Sequence, residues 1–212
     1  MRRCWRARSS ARVATDLERP DALHARCSAY ALAVSCRIRK AQRSDQPRLE
    51  RLIAESARGL GVRDYRPEQI EAALRGSFGV DSQLIDDGTY FVAEIDGAIV
   101  GCGGWSRRRT LFGGDQHPER DAGELNPQVD AAKIRAFFIA PGHARQGIGR
   151  ALLLHCEAAA SAQGFRRFEL MGTLTGVPFY QAHGYQGGEL VRYPATDGVL
   201  IEFIPMRKEL AP

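Results

Sequence analysis

The segment Thr89–Ser106, TYFVAEIDGAIVGCGGWS, commits this chain to an antiparallel sheet. Two β-rich runs flank Asp96-Gly97, the dipeptide favoured where a two-residue turn needs positive φ at both positions. Other segments read as further strands and helices. A short strand is expected around Cys36–Ala41. RSDQPRLERLIAESARGLG reads as a helix capped by Asp45 and stopped by Gly59 and Gly61, with Leu49, Leu52 and Ile53 as its apolar stripe. RPEQIEAALRGSFG reads as a second helix, with Pro67 in its first turn and Ile70, Ala73 and Leu74 on one face. Residues 107–132 lack a sustained period and read as a long connection. A strand over Ile134–Ala140, a helix ending near Gln163 at Gly164, a strand in RRFELMGT, a short helix in VPFYQAHG and a strand in GVLIEFIPMRKEL follow. A further short strand falls around Glu189–Tyr193. Mixing of this kind argues for an α/β sheet with helices on both faces.

The 212 residues suffice for one domain with a real core, and 44% apolar with 26% charged residues is ordinary soluble composition. The chain has no run of about 18 apolar residues, so no membrane partner is expected. Five cysteines at scattered spacing support neither a disulfide framework nor a metal site, and a cytoplasmic, reducing compartment is the simplest expectation. The charge is uneven. Residues 1–40 hold ten Arg/Lys and three Asp/Glu, a net of +7, against +5 for the whole chain, so residues 41–212 carry −2. Residues 1–35 therefore read as a basic extension. A nucleic-acid-binding arm or a transit peptide is one reading; a disordered extension, favoured by the missing apolar periodicity, is the other. The domain itself is placed at residues 36–212, with no nucleic-acid partner.

The segment ARQGIGRALL, Ala144–Leu153, sets two glycines before an apolar helical run, after a strand that ends at Pro141. A helix N-terminus offers free N–H groups and partial positive charge to an anion. Gly147 and Gly149 let the backbone approach a diphosphate, and Arg145 and Arg150 add charge. A dinucleotide fingerprint fits poorly, because Leu152 stands at its third glycine position and six residues, Pro141–Gln146, separate strand from glycine.

From Lys133 to Tyr185 the chain resembles the GCN5-related N-acetyltransferase (GNAT) family. The matching pieces are the strand ending at Pro141, ARQGIGRALL, RFELMGT and GVPFYQAHGY. With the hairpin included, the resemblance covers about residues 36–209. It implies a mixed, mostly antiparallel twisted sheet with splayed central strands, and acetyl-coenzyme A as cosubstrate without a metal. It places the cofactor against Phe137, Phe138 and Ile139, against Arg145, Gln146, Gly147, Ile148, Gly149 and Arg150, and against Thr173. The amide of Phe138 or Ile139 would polarise the thioester. Tyr180 matches the tyrosine that often acts as general acid, and a homodimer is a further expectation. Three positions depart from the pattern: Ala144 where Gln or Arg is usual, Thr173 where Asn is frequent, and Gly176 where Ala is frequent.

The implied activity is transfer of an acyl group to a primary amine of a small acceptor. The alternative is an acyl-coenzyme A sensor of the same fold without chemistry. Lys133 stands where many relatives carry a carboxylate, and Glu169, Glu124, Asp130 and His143 remain candidates for a base. Residues 115–130 hold five acids and one Arg, a net of −4. Such a cleft would concentrate a cationic amine, with Glu124, Asp130 and Trp105 as tentative acceptor contacts. The competing reading is a solvated loop and a tryptophan that packs its own hairpin.

Overall fold

The Asp96-Gly97 turn forms as its chemistry requires, with φ of 50° and 77°. A computed structural model describes residues 36–116, 121, 123–195 and 197–210, all within one compact unit, Val34–Pro212. The basic extension expected at residues 1–35 lies outside the described residues. The turn joins β2 (Tyr90–Ile95) to β3 (Ala98–Ser106), and β1 (Arg37–Lys40) pairs with β2. After the long connection come β4 (Ala132–Ile139), β5 (Arg167–Thr173), β6 (Gln186–Gly187), β7 (Val191–Pro194) and β8 (Leu200–Glu209). They form one eight-stranded sheet in the order β1-β2-β3-β4-β5-β8-β6, with β7 also on β8. Every pairing is antiparallel except β4 with β5.

Helices cover both faces. α1 (Gln46–Leu60), α2 (Pro67–Leu74) and the short α3 (Ser82–Asp86) lie on one side; α4 (Ile148–Ser161) and α5 (Val177–Gln181) lie on the other. Strand alternation assigns the faces. A Cβ at Gly101 would meet Ile148 and Leu152 of α4, whereas one at Gly104 would meet Leu84 of α3. The expected apolar stripe of α1 is buried: Leu49, Leu52 and Ile53 are at most 1% exposed.

Two details of the expected α1 differ. Asp45 stands at its N-cap without capping it, because the carboxylate is taken by the Arg39 guanidinium and the Gln42 amide. Gly59 does not stop the helix, which runs to Leu60; it is glycine because a Cβ there would run into the ring of Pro141. α3 was not expected, since five residues are too few to show a period. No helix among the described residues is long and apolar enough to cross a membrane.

Candidate active site

The site begins with an interruption in the sheet. β4 and β5 pair over two rungs only, Ala132 with Phe168 and Lys133 with Glu169, and then diverge. Just beyond, the register of β3 with β4 slips by one residue. Ala136 and Phe137 stand opposite the single Gly103, with Ala136 at φ 55°, which makes a β-bulge. The bulge bends the second half of β4 away from β5 and leaves a gap between their C-terminal ends.

The bulge also decides which amide faces that gap. The Ala140 amide donates to the Val100 carbonyl at 2.8 Å, so by antiparallel alternation Phe138 turns its backbone groups toward β3 and Ile139 turns its own away. Of the two amides the resemblance nominates, only that of Ile139 faces the gap. It donates to Ser56 Oγ, on α1, at 3.2 Å.

Past β4, Pro141–His143 forms a single 3₁₀ turn. Arg145 (φ 64°) and Gly147 (φ 83°) are both left-handed, an uncommon state for arginine that turns the chain into α4. Gly147 is the N-cap and provides no side chain, so by helix geometry the amides of Ile148, Gly149 and Arg150 lack intrahelical acceptors. Arg145, Gln146, Gly147 and Arg150 are exposed. Gln146 Nε2 donates to the Gly142 carbonyl at 3.1 Å and tightens the loop. A Cβ on Gly149 would sit 3.4 Å from the Phe179 ring and 3.9 Å from Ile139, so loop, strand and α5 converge there.

Tyr180, on α5, is 9% exposed and its ring meets Phe137 edge-on across the gap, with centroids 6.4 Å apart. Desolvation, followed by the nearby Cys156 thiol, pushes its phenol well above the usual tyrosine range. Gly176 makes room for it: a Cβ there would lie 3.2 Å from the Tyr180 ring and 3.1 Å from Thr173 Oγ1. The Gly176 amide donates to Thr173 Oγ1 at 3.2 Å, so Thr173 braces the turn into α5. Tyr65, between α1 and α2, closes the far side. Its hydroxyl donates to the Glu202 carbonyl at 2.6 Å and accepts from the Leu174 amide at 2.8 Å.

Phe137, Ile139, the 145–150 loop, Thr173 and Tyr180 thus surround one gap. Phe138 sits on the α1 side of β4 instead, its ring 5.7 Å from that of Phe78, which in turn lies 6.3 Å from Phe203.

Each of the tentative acceptor residues is engaged by neighbours of its own. Trp105 is 1% exposed and packs edge-on against Phe165 at the end of α4, so it is core. Glu124 pairs with Arg107, and Asp130 accepts from the Asn126 amide in a turn of its own. Both precede β4, at the end of the strand opposite the gap. Asp115 accepts from Ser82 at the start of α3, Asp121 accepts from the Gly123 amide, and Glu119 lies outside the described residues. Lys133 and Glu169 form an ion pair on the last shared rung of β4 and β5, with Arg207 3.7 Å from the other carboxylate oxygen.

Sequence reasoning passed over Ser56, Tyr90, Cys102 and the pair Gly103-Gly104. The signal was there: adjacent glycines inside a strand mark a bulge or a close approach. Phe137 lies over Gly103 on one face and Tyr90 over Gly104 on the other.

This arrangement agrees with known proteins. Residues 86–187 match the family model for an acetyltransferase (GNAT) domain. Among solved structures, a GCN5-related N-acetyltransferase from Rhodopseudomonas palustris superposes with a TM-score of 0.62 at 18% identity, over 83% of this chain and 96% of that one. The PaiA N-acetyltransferase from Thermoplasma acidophilum, in complex with coenzyme A, gives 0.56 at 17% identity, over 82% and 99%. A ribosomal-protein-alanine N-acetyltransferase from Brucella melitensis gives 0.54 at 17%, over 82% and 99%. No curated protein sequence matches the chain. Residues 86–187 thus carry a GNAT acetyltransferase domain signature, and the chain has the GNAT fold, which supports acyl transfer from acetyl-coenzyme A in general.

Proposed function

We propose that this chain transfers an acetyl group from acetyl-coenzyme A to a primary amine of a small acceptor by direct attack, with Tyr180 protonating the departing thiolate. The observation that carries the reading is the two-rung pairing of β4 with β5, which leaves the Ile139 side of β4 unpaired over the gap. A pantetheine arm along that edge would stand in for the missing strand. The amides of Ile148, Gly149 and Arg150 would hold its diphosphate, with the Arg145 and Arg150 guanidinium groups beside them. Bound acetyl-coenzyme A supplies an activated thioester carbonyl. The Ile139 amide would donate to that carbonyl once the ligand displaces Ser56 Oγ, its present acceptor. Tyr180 keeps its proton through neutral and moderately alkaline pH, so it is present as a donor whenever a thiolate departs.

On the α1 face, a groove of about 290 Å³ runs beside Phe78, floored by Ile53, Ala54, Leu74 and Val80, with Glu50, Asp115 and Arg58 also lining it. We assign the acceptor to this groove: its apolar walls suit an organic body, and the Glu50 carboxylate suits an ammonium group, which gives a proton to solvent before the neutral amine attacks. The test is a broad amine screen that reads free thiol release. At least one amine should release thiol, and Tyr180→Phe should suppress that release. Tight coenzyme A binding without thiol release from any amine would support the sensor reading instead.

A further inference from the structure

We infer that Tyr90 is a positioning residue for the acyl-donor site: its hydroxyl, reaching across β3, latches the bulge that presents β4 to the cosubstrate. The inference rests on the proposed coenzyme A reading and adds to it a residue two strands away.

Tyr90 is completely buried and pairs with Gly104 across β2 and β3. A Cβ at Gly104 would stand 2.9 Å from the Tyr90 ring, so only glycine lets the ring cross β3 there. The hydroxyl then lies 3.3 Å from the Ala136 carbonyl and 3.3 Å from Cys102 Sγ. Cys102 Sγ lies 3.7 Å from the same carbonyl. Two protons serve this triangle, so the carbonyl receives one whichever way the hydroxyl turns. Burial holds both donors protonated: the Tyr90 phenol is pushed far up, and the Cys102 thiol to about 12.

Ala136 is the residue that needs this help. It is not glycine, yet it adopts φ 55°, a conformation kept only where its surroundings enforce it. Its carbonyl has turned out of the regular ladder and needs a partner in the interior. Without one, the cheaper arrangement is a regular β3–β4 ladder. That ladder would shift the end of β4 by one residue and exchange the faces of Phe137, Phe138 and Ile139. Phe137, lying where a Gly103 Cβ would be, clamps the bulge from the opposite face.

The test is calorimetric titration of coenzyme A into the full chain as wild type, Tyr90→Phe, Cys102→Ala and the double variant. Loss of the hydroxyl should weaken binding about 5–10-fold, the equivalent of one buried hydrogen bond. Because the two donors share one carbonyl, the double variant should lose more than the product of the single effects. In turnover, KM for acetyl-coenzyme A should rise while KM for the amine stays fixed, a split that general destabilisation does not produce. If Tyr90→Phe does not fold, Cys102→Ala should still weaken binding in the same direction. Wild-type affinity in both single variants and in the double overturns the latch alone. A wild-type chain that binds no coenzyme A overturns the cofactor reading, and the latch with it.

Discussion

Ser56 Oγ accepts a hydrogen bond from the Ile139 amide at 3.2 Å, so the backbone group best placed to greet a cosubstrate is already engaged by a helix side chain. Ser56 is 5% exposed, and its hydroxyl has to be outcompeted before anything else can use that amide. Ser56→Ala is therefore expected to tighten coenzyme A binding by a few fold. It should also lower unfolding stability by about 1 kcal/mol for the lost hydrogen bond. Calorimetry and thermal unfolding of the same preparation check both signs; weaker binding would mean that the hydroxyl assists the ligand.

Tyr180→Phe keeps the ring against Phe137 and Tyr185 and removes only the proton donor. Turnover should fall about 100-fold, the lower end of what a positioned general acid contributes, with coenzyme A affinity nearly unchanged. Because burial raises the phenol, Tyr180 should add no alkaline limb to the wild-type rate profile below about pH 10, its ordinary value. Equal turnover of variant and wild type across a pH series would remove Tyr180 from the mechanism.

Gly59→Ala tests the contact between α1 and the loop. Inside an exposed helix the change would stabilise by about 0.8–1 kcal/mol through propensity. Here the new methyl meets the Pro141 ring, and overpacking should reverse the sign to a net loss of about 1–2 kcal/mol. The displaced loop should also weaken coenzyme A binding. A stabilised variant with unchanged affinity would show that α1 does not hold the loop in place.

Asp87 links the end of α3 to the connection after β3 through Arg108, at 2.7 and 2.8 Å. The Arg108 hydrogen bonds hold its carboxyl below the ordinary aspartate value of 3.8. A carboxyl depressed in the folded state stabilises above its unfolded value, and that stabilisation is lost as pH falls through the folded value. Acid unfolding should therefore steepen below about pH 4, and Asp87→Asn should flatten that region while costing about 1–3 kcal/mol at pH 7. Urea midpoints from pH 2.5 to 7 measure both.

Most elements could be read from local chemistry. Asp96-Gly97 named its hairpin, and Gly147 and Gly164 bracket a helix whose ends agree with expectation within two residues. What escaped was set by partners distant in sequence. Asp45 looked like a cap, but Arg39 takes its carboxylate. Gly59 looked like a stop, and only the ring of Pro141, 82 positions on, explains it. Trp105 looked free to face an acceptor because nothing local tells which side of β3 the α4 helix will cover. The acids of residues 115–130 summed to an attractive charge, yet each described one meets a partner in its own neighbourhood. The bulge leaves no mark in the composition of β4; its trace is the glycine pair on β3.

The claim that the gap between β4 and β5 holds coenzyme A is tested most directly by thermal unfolding of the full chain with coenzyme A, acetyl-coenzyme A or NADH. Ligand at about 100 times its dissociation constant stabilises by roughly 2.7 kcal/mol, on the order of 5–10 °C for a domain of this size. Both coenzyme A forms should raise the midpoint by that amount and NADH should leave it unchanged. A rise with NADH alone, or no rise with either coenzyme A form, would contradict the assignment.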